Sequence, residues 1–489
     1  MKKSIFGILI LMESLFLGLC TLVALFYGEE DWRAFFWTTL VALCVGSFCK
    51  WWGSTTDNKR MSRTDSFIVV TLSWVVFSII GMLPFIMHMG MDVASAFFET
   101  MSGFTTTGAT CINDIDSMTH ALRFWRSVTQ WMGGLGIVVF SFALIPVYEM
   151  KNSNVFSAEV TGIGLDRLRP KIGATARRLL IIYLFLTAFC ATLYWLGPMN
   201  LYDAICHSMC TIATGGFSTH SASIGYFHSA YLEYICAFFM LISSVNFSLY
   251  YYMTIRRSRV LFRNEEIRAF FTIVAVMVLI FFLLFYHGEA NGLGEQRPSG
   301  LEETFRTSLF HVASVITSTG FSGETFDYVA WGAIFWMPTV LIMAIGGCAG
   351  STAGGIKVIR AIICCKAAIN ELILQLHPRA VLGIRMGGQL VSDDRIRRTL
   401  AFVFIYIVLV IFGMVAHPLL GADVDTALGS CISMLSNVGP GTGAVGPANT
   451  FANIPAAGKW LMSFYMLVGR LEIYTVLFLF LPNYWRERK

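Results

Sequence analysis

Four short stretches of this chain have similar sequences that end in a glycine. They read TTTG at 105–108, IATG at 212–215, TSTG at 317–320 and SNVG at 436–439. Their glycines lie 107, 105 and 119 residues apart, so the chain contains four copies of one repeat unit. Each stretch ends a short, moderately apolar segment that lies between two long apolar ones. This layout is expected when a single chain supplies all four quarters of an ion pore.

The composition places these repeats in a membrane. The chain is 56% hydrophobic and 13% charged, and its mean hydropathy is +0.66, far from the values of a soluble domain. Crossing a hydrocarbon core of ~30 Å requires about 20 apolar residues. The first apolar segment follows two lysines, as a signal peptide would, but it lacks a clear cleavage site and is expected to be retained. Ten spans are predicted, at residues 4–27, 34–51, 66–88, 123–147, 178–196, 231–253, 267–287, 332–356, 398–416 and 457–482.

These segments predict an all-α polytopic membrane protein. Four membrane–pore–membrane repeats are expected around one pore, preceded by two N-terminal transmembrane helices. The predicted parts are a two-helix domain at 1–60 and pore repeats at 61–150, 151–262, 263–376 and 377–489.

The basic residues predict the orientation. With a cytoplasmic amino terminus and the glycine stretches entering from outside, 28 of the 35 Lys and Arg residues fall on the inner side. The net charge of +5 therefore follows from topology, and no nucleic-acid partner is implied. The outer segments are acidic, and they would concentrate cations at a pore mouth or simply form a solvated rim. Their acidic residues are Asp92, Glu99, Asp114, Asp116, Asp203, Glu302, Glu303, Glu324, Asp327, Asp423 and Asp425.

The dozen residues before each glycine predict re-entrant half-helices. These segments begin at Ala96, Asp203, Ser308 and Ala427 and are too short to span the bilayer. Their carboxyl ends carry partial negative charge and would favour a cation on the pore axis. The extended residues that follow can replace the water around an ion with backbone carbonyls. The candidate potassium-binding residues of this selectivity filter are Thr106, Thr107, Gly108, Ala213, Thr214, Gly215, Ser318, Thr319, Gly320, Asn437, Val438 and Gly439.

Glycine is expected in each filter because turning successive carbonyls one way requires a positive φ, which a Cβ atom penalises. After the glycines the four copies diverge, and none repeats the Tyr-Gly pair of a TVGYG filter. We therefore expect fewer carbonyl layers and looser selectivity than in a tetrameric potassium channel. The alternative is that the stretches are ordinary Gly/Thr turns between helices.

A glycine-rich break inside the span 332–356 predicts a gate. Five glycines within 346–355 cannot sustain a helix cheaply, so the span should unwind below the third filter. Arg470 lies mid-span in repeat 4 and must face the interior and find a partner. We expect it to contact the break, as a gate or as a static structural pair. The candidate gate residues are Gly346, Gly347, Gly350, Gly354, Gly355, Lys357 and Arg470.

The chain resembles the Trk/Ktr/HKT superfamily of potassium transporters over essentially its whole length. The resemblance rests on the four glycine stretches and on WMGGLG at 131–136, GSTAGG at 350–355, HPRA at 377–380 and GRLE at 469–472. The two extra N-terminal spans make it similar to the TrkH/TrkG branch. The resemblance implies a homodimer with one pore per protomer and an intramembrane loop at 346–355.

The resemblance also implies the ion, the partner and the location. Potassium is the implied transported ion, and no bound organic cofactor is expected. A TrkA-like cytoplasmic regulatory subunit that binds nucleotides is implied as a separate chain, and the basic loop 357–398 could dock it or lipid headgroups. In this superfamily serine in place of the first filter glycine accompanies sodium transport, so Gly108 supports potassium. The implied location is the bacterial inner membrane, as a multi-pass protein.

Three classes of function remain open at this stage. The first is channel-like potassium uptake driven by the membrane potential. The second is a symporter that couples potassium or sodium entry to protons. Symporters usually show inverted repeats and mid-span acids, whereas these repeats run parallel and Glu472 is the single mid-span acid recognised. The third is an enzyme, which is not predicted because His207 and His311 in the half-helices lack an evident base or nucleophile.

Overall fold

The computed structural model is almost entirely helical, which confirms the predicted fold class. It describes residues 2–56, 63–134, 136, 172–247, 249–250, 264–288, 298–323 and 327–482. The described strands form one antiparallel pair, Arg385–Met386 with Gln389–Leu390. The end of the predicted span 123–147, from residue 137, and the segment that follows it up to residue 171 lie outside the described residues.

Two long helices precede the repeats, as predicted. Helix α1 (Lys2–Tyr27) and helix α2 (Trp32–Thr56) form a hairpin whose turn uses Gly28 at a φ of +70°. Small residues let the two helices approach closely, since a methyl group on Gly46 would lie 2.9 Å from Cγ of Leu11. The hairpin thereby forms a compact pair.

Each pore repeat then contributes an outer helix, a short pore helix and a second helix. Repeat 1 contains α3 (Arg63–Gly81), α4 (Leu83–Met89), the pore helix α5 (Val93–Phe104) and α6 (His120–Gly134). Repeat 2 contains α7 (Ile172–Trp195), the pore helix α8 (Leu201–Ala213) and α9 (Ala230–Ser243).

Repeats 3 and 4 have the same order of elements. Repeat 3 contains α10 (Glu265–Tyr286), the pore helix α11 (Leu301–Ile316) and α12 (Ala333–Ala344), and α13 (Val358–Leu376) follows it. Repeat 4 contains α14 (Asp393–Leu419), the pore helix α15 (Val424–Ser436), α16 (Ala456–Arg470) and α17 (Tyr474–Leu477). Single 3₁₀ turns occur at Ser223–Phe227, Gly443–Val445 and Phe478–Phe480.

Within the part of the chain that the structure describes, the second helix of every repeat ends before the span predicted for it does. Six described helices are long and apolar enough to cross a membrane. The second helices stop at Gly134, Ser243, Ala344 and Arg470. The prediction of one continuous span at 457–482 is wrong, because the chain bends by 113° between Arg470 and Tyr474. Leu471, Glu472 and Ile473 form this corner, and the last two have positive φ values.

Burial separates the pore helices from the membrane-facing helices. Every residue of α5 from Ala94 to Phe104 is buried. In contrast, α10 and α14 expose large apolar side chains such as Leu279 and Phe404, 58% and 68% exposed, as expected of helices that face lipid. Two of the four pore helices begin with a side-chain cap: the Asp92 carboxylate accepts from the backbone N–H of Ser95 at 3.0 Å in α5, and the Asn200 side chain accepts from the N–H of Asp203 at 2.8 Å in α8. The four short helices therefore form the centre of the molecule.

Candidate ion pathway

Four glycines, one from each repeat, form a closed ring. A methyl group on any of them would come within 2.5 Å of a carbonyl oxygen of the next repeat, far inside van der Waals contact. Each also has a left-handed φ, between +78° and +103°, that disfavours any residue with a Cβ atom. The pairs are Gly108 with Gly215, Gly216 with Thr319, Gly320 with Val438, and Gly439 with Thr107, which returns to repeat 1. The four segments therefore meet around a single axis.

The structure corrects the predicted register in repeat 2 by one residue. Gly216, with a φ of +80°, corresponds to Gly108, Gly320 and Gly439, whereas the sequence analysis placed Gly215 there. Gly215 corresponds instead to Thr107, since both donate to a carbonyl five residues earlier, in Cys210 and Ser102 respectively. Sequence reasoning missed Gly216 because repeat 2 carries two adjacent glycines.

The residue two positions before each ring glycine also has a positive φ, which sequence reasoning missed. These residues are Thr106, Thr214, Ser318 and Asn437, with φ between 52° and 55°. A β-branched residue in this region is a backbone outlier, and such strain concentrates at functional sites. A signal was present in the sequence, because all four residues have short polar side chains.

Eleven of the twelve predicted filter residues lie in the ring segments, each within two residues of a ring glycine. The exception is Ala213, which ends the pore helix α8 and corresponds to Thr105, Thr317 and Ser436. The side chains of the ring segments bond across repeats: Asn437 Nδ2 donates to Thr107 Oγ1 at 3.0 Å. The Gln130 amide donates to the Gly215 carbonyl at 2.6 Å and accepts from the Phe217 N–H at 3.0 Å.

The predicted break after α12 forms a loop directly against one end of the ring, which we call the loop end. The N–H of Gly354 donates to Ser318 Oγ at 2.6 Å, and Thr214 Oγ1 donates to Thr352 Oγ1 at 3.1 Å. A methyl group on Gly354 would overlap the carbonyl oxygen of Ser436. The loop therefore contacts the pore-helix ends of repeats 2, 3 and 4.

Backbone bonds hold the loop in place at both of its ends. Gly346 donates to Ile356 at 2.9 Å, which closes the loop on itself. The Lys357 ammonium donates to the carbonyl of Ala353 and caps the last turn of the loop. Gly350 and Gly355 have φ values of +75° and +69°. The loop also contacts its neighbours. The N–H of Cys348 donates to the Ser244 carbonyl, and the N–H of Phe247 donates to the Gly350 carbonyl. The N–H of Ala349 donates to the Glu266 carboxylate, and Gly347 packs against Ser244.

Arg470 contacts the loop, as predicted, and also a second element. Its Nη1 donates to the carbonyl of Thr352 at 2.6 Å. Its Nη2 donates to the carbonyl of Gly134 at 2.9 Å and also to that of Gly133, at the end of α6. The guanidinium thus joins repeats 1, 3 and 4 below the ring. Glu472, two residues further along the chain, pairs with Arg360.

Arg470 occupies the place that Gly134 has in repeat 1. The residues before them, Gly469 and Gly133, have no room for a methyl group against the carbonyls of Leu435 and Phe104. Those carbonyls both lie two residues before a positive-φ residue of the ring. In the sequence, the corresponding residues of repeats 2 and 3 are Ser244 and Gly347. One quarter of the site therefore carries a cation where the others carry small residues.

Several acidic and histidine side chains differ from expectation. Glu99 is not on a solvated rim: it is 1% exposed and pairs with Arg126 at 2.9 Å. Glu472 is not the single mid-span acid, because Glu13 lies fully buried within α1. His207 does meet a hydroxyl, that of Ser218 at 2.9 Å, but its other ring nitrogen contacts the backbone carbonyl of Asp203.

Two of the predicted rim acids flank a histidine on the outer loops. Asp116 lies 2.7 Å from Nδ1 of His220, and Asp203 lies 3.4 Å from its Nε2. Partial burial disfavours protonation of His220, but hydrogen bonds to these two carboxylates outweigh it and raise the pKa of the imidazole. The ring of His220 stacks on Tyr226 with centroids 3.6 Å apart. The cluster links the exit segments of repeats 1 and 2.

Four re-entrant segments of one membrane-embedded chain, closed into a ring of backbone oxygens, define a cation transport protein. The chain belongs to the TrkH family of cation transport proteins, whose family model matches residues 32–487. This confirms the resemblance to the Trk/Ktr/HKT superfamily and its TrkH/TrkG branch. The chain is a multi-pass protein of the bacterial inner membrane.

Relatives match the chain over almost its whole length. The Trk system potassium uptake protein TrkH of Escherichia coli K12 is 38% identical and covers 99% of this chain and 98% of its own. The Trk system potassium uptake protein TrkG of the same strain is 34% identical and covers 98% and 97%. The crystal structure of the potassium transporter TrkH from Vibrio parahaemolyticus superposes with a TM-score of 0.87, at 34% identity and 99% coverage of both chains.

Proposed function

We propose that this chain takes up potassium across the inner membrane through the ring, which acts as its selectivity filter. The closed sequence of glycine-to-carbonyl contacts carries the proposal. Because each ring glycine lies against the carbonyl of the next repeat, the oxygens are held around one axis without intervening side chains. Backbone carbonyls arranged in this way can replace the hydration shell of a monovalent cation. The names of the TrkH and TrkG relatives support potassium as the ion.

The pore helices support cation binding at the loop end of the ring. Their carboxyl ends at Phe104, Ala213, Ile316 and Ser436 lead directly into the ring segments. Each helix end carries about −0.5 of an elementary charge, so four converging ends attract a cation. Short polar side chains follow each helix end, and they are compatible with a hydrated ion arriving there.

We further propose that the loop at 346–355 and Arg470 form the gate. The loop contacts three pore-helix ends, and Arg470 binds its Thr352 carbonyl, so a movement of either changes the route below the ring. Lys357 would steady the loop through Ala353. Both side chains carry positive charge, which repels cations and would keep the route below the ring closed.

The assembly remains part of this proposal. It comprises a homodimer with one pore per protomer and a TrkA-like nucleotide-binding subunit on the cytoplasmic side. The Trk system names of the relatives support a multi-component system. The division into residues 1–60, 61–150, 151–262, 263–376 and 377–489 is proposed on the same basis.

Rescue of a potassium-uptake-deficient bacterium tests the function. The wild-type chain should restore growth at limiting potassium, and Gly108→Ser should reduce that rescue and admit sodium. The substituted side chain would overlap the Gly215 carbonyl in the ring. The matched control is Gly300→Ser, because Gly300 caps α11 in open space. Failure of the wild-type chain to rescue, with normal membrane expression, would sink the proposal.

A proton-coupled cation symporter is the second candidate, and Glu13 is the observation that favours it. This carboxyl is fully buried in a membrane span, and neither of its oxygens has a hydrogen-bond partner among the described residues. Intramembrane acids of this kind often bind protons. Unitary currents from the purified protein in a planar bilayer would favour the channel, whereas strictly proton-coupled flux that Glu13→Gln abolishes would favour the symporter.

A further inference from the structure

A second ring of contacts lies beyond the glycines, at the end of the filter opposite the intramembrane loop, which we call the mouth end. The carbonyl oxygen two residues after each ring glycine accepts a hydrogen bond from the preceding repeat. The bonds are Phe451 N–H to Thr110 at 2.8 Å, Arg126 Nη1 to Ser218 at 3.0 Å, Gly225 N–H to Ser322 at 3.3 Å, and Tyr328 Oη to Gly441 at 2.7 Å.

These bonds fix the direction of the four outermost carbonyls. An oxygen that accepts a well-aligned bond from a neighbouring repeat is oriented by that donor. It is therefore not free to turn toward an ion on the axis. The carbonyls available to an ion on the axis would therefore end before these four residues, as in the short filter expected from the sequence.

Two of the four donors are side chains, and they come from the diagonal repeats 1 and 3. Arg126 is 1% exposed, and Glu99 holds its Nε at 2.9 Å while the guanidinium lies 4.0 Å above the ring of Phe217. The Glu99 carboxylate also accepts from the N–H of Cys111 at 2.8 Å. The ion pair therefore binds the segments that follow the ring glycines in both repeat 1 and repeat 2.

Tyr328 is the simpler of the two side-chain donors. Its side chain is completely buried, and its hydroxyl reaches from repeat 3 into repeat 4 to bind the Gly441 carbonyl. In repeats 2 and 4 the donors are backbone N–H groups, which no substitution other than proline removes. Side-chain control of the mouth end therefore rests on Arg126 and Tyr328.

We propose that Arg126 and Tyr328 are specificity-determining residues that set the outer limit of the filter by positioning the Ser218 and Gly441 carbonyls. This inference rests on the proposed function of the ring as a filter. Loss of either donor frees one carbonyl to rotate inward and makes the four-fold coordination uneven. Potassium, which needs a cavity of fixed size, then loses its binding preference over the smaller sodium ion.

The test compares Tyr328→Phe with Tyr465→Phe in proteoliposomes. The control removes the same kind of bond, from a buried tyrosine hydroxyl to the Leu409 carbonyl at 2.6 Å, which joins α16 to α14 and binds no ring carbonyl. Initial uptake of potassium and of sodium is measured over a concentration series for each variant. Tyr328→Phe should lower the ratio of potassium to sodium uptake by about two- to fivefold and raise the KM for potassium, while Tyr465→Phe leaves the ratio unchanged.

Arg126→Lys provides a second variant, because lysine keeps the charge beside Glu99 but cannot serve both partners as the planar guanidinium does. It should lower the uptake ratio in the same direction. An unchanged ratio in both variants, or an equal change in Tyr465→Phe, would overturn the inference while wild-type uptake leaves the proposed function intact. Absence of potassium uptake in the wild-type protein would instead overturn the proposed function.

Discussion

The side-chain amide of Gln130 occupies the space that a side chain on Gly215 would need. A Cβ atom on Gly215 would lie 2.8 Å from Nε2 of Gln130 and closer still to the rest of the amide. The three corresponding residues, Thr107, Thr319 and Val438, all carry side chains. In repeat 2 the amide of a neighbouring helix therefore takes the place of a side chain within the ring segment.

This relationship predicts different outcomes for two adjacent glycines. Gly216→Ala should abolish potassium uptake, because the methyl group would overlap the Thr319 carbonyl and the φ of +80° costs about 1–2 kcal/mol for any residue with a Cβ atom. Gly215→Ala should be harmful chiefly because of Gln130. The double variant Gly215→Ala/Gln130→Ala should then retain more potassium uptake than is expected from adding the losses of the two single variants. Growth at limiting potassium and initial uptake rates measure both effects.

The coupling between Gly215 and Gln130 should reach about 1 kcal/mol, as for residues in direct contact. Gly300→Ala serves as the control, since this glycine has open space around it. A double variant whose losses simply add would contradict the steric account. Full activity of Gly216→Ala would contradict the corrected register.

Arg470→Ala should raise the basal flux of cations. The substitution removes the donor to the Thr352 carbonyl and leaves the Gly134 carbonyl without that partner, so the loop loses its tie to repeats 1 and 4. It also removes a positive charge from below the ring. Rubidium influx into proteoliposomes should rise severalfold over wild type. Arg398→Ala is the control because that side chain is largely exposed, and an unchanged influx in a folded Arg470→Ala protein would remove the gate proposal.

Gly354→Ala should disturb the loop without changing charge. The methyl group would overlap the Ser436 carbonyl at the end of α15, so the loop must move away from repeat 4. Overpacking of this kind typically costs about 1–3 kcal/mol. We expect a lower melting temperature together with a raised basal flux, measured by differential scanning fluorimetry and rubidium influx. If flux and melting temperature both match wild type, the loop does not contact the pore helix as described.

His220 should make stability depend on external pH. Because Asp116 and Asp203 raise its pKa, the ion pairs of the protonated ring contribute fully below about pH 6.5 and are lost as the pH rises through the raised pKa. The melting temperature of wild type should exceed that of His220→Gln by about 1–2 °C at pH 6, and the difference should vanish at alkaline pH. His228→Gln, in the same outer segment, is the control. A difference that grows with pH would refute this assignment.

The repeat organisation and the site could be predicted from the sequence because they depend on local chemistry. A glycine at the same place in four copies reflects a backbone conformation that only glycine adopts easily. The amino-acid sequence alone reveals that requirement. The contact between Arg470 and the glycine-rich break was likewise predictable, since a buried cation in a span must find oxygen atoms.

Other features required three-dimensional contacts. Two adjacent glycines left the register of repeat 2 ambiguous, and the Gln130 amide that contacts Gly215 lies 85 residues earlier, so it gives no signal near the second glycine stretch. The bend after Arg470 follows from positive φ values at Glu472 and Ile473. Glutamate and isoleucine rarely adopt such values, so the sequence does not predict a bend there. The sequence places Glu99 among the outer acids and gives no sign of its buried pairing with Arg126, because spacing alone does not reveal their shared burial.

The presence of Arg470 in one repeat, where Gly134 stands in another, has a consequence for how such a protein can be built. An assembly of four identical subunits would place a guanidinium in every quadrant, and their mutual repulsion would block both packing and permeation. Linking the quarters in a single polypeptide lets one codon change one quadrant. Four identical copies cannot have this asymmetry, and under the gate proposed above it places a lone positive charge beneath one quadrant of the ring.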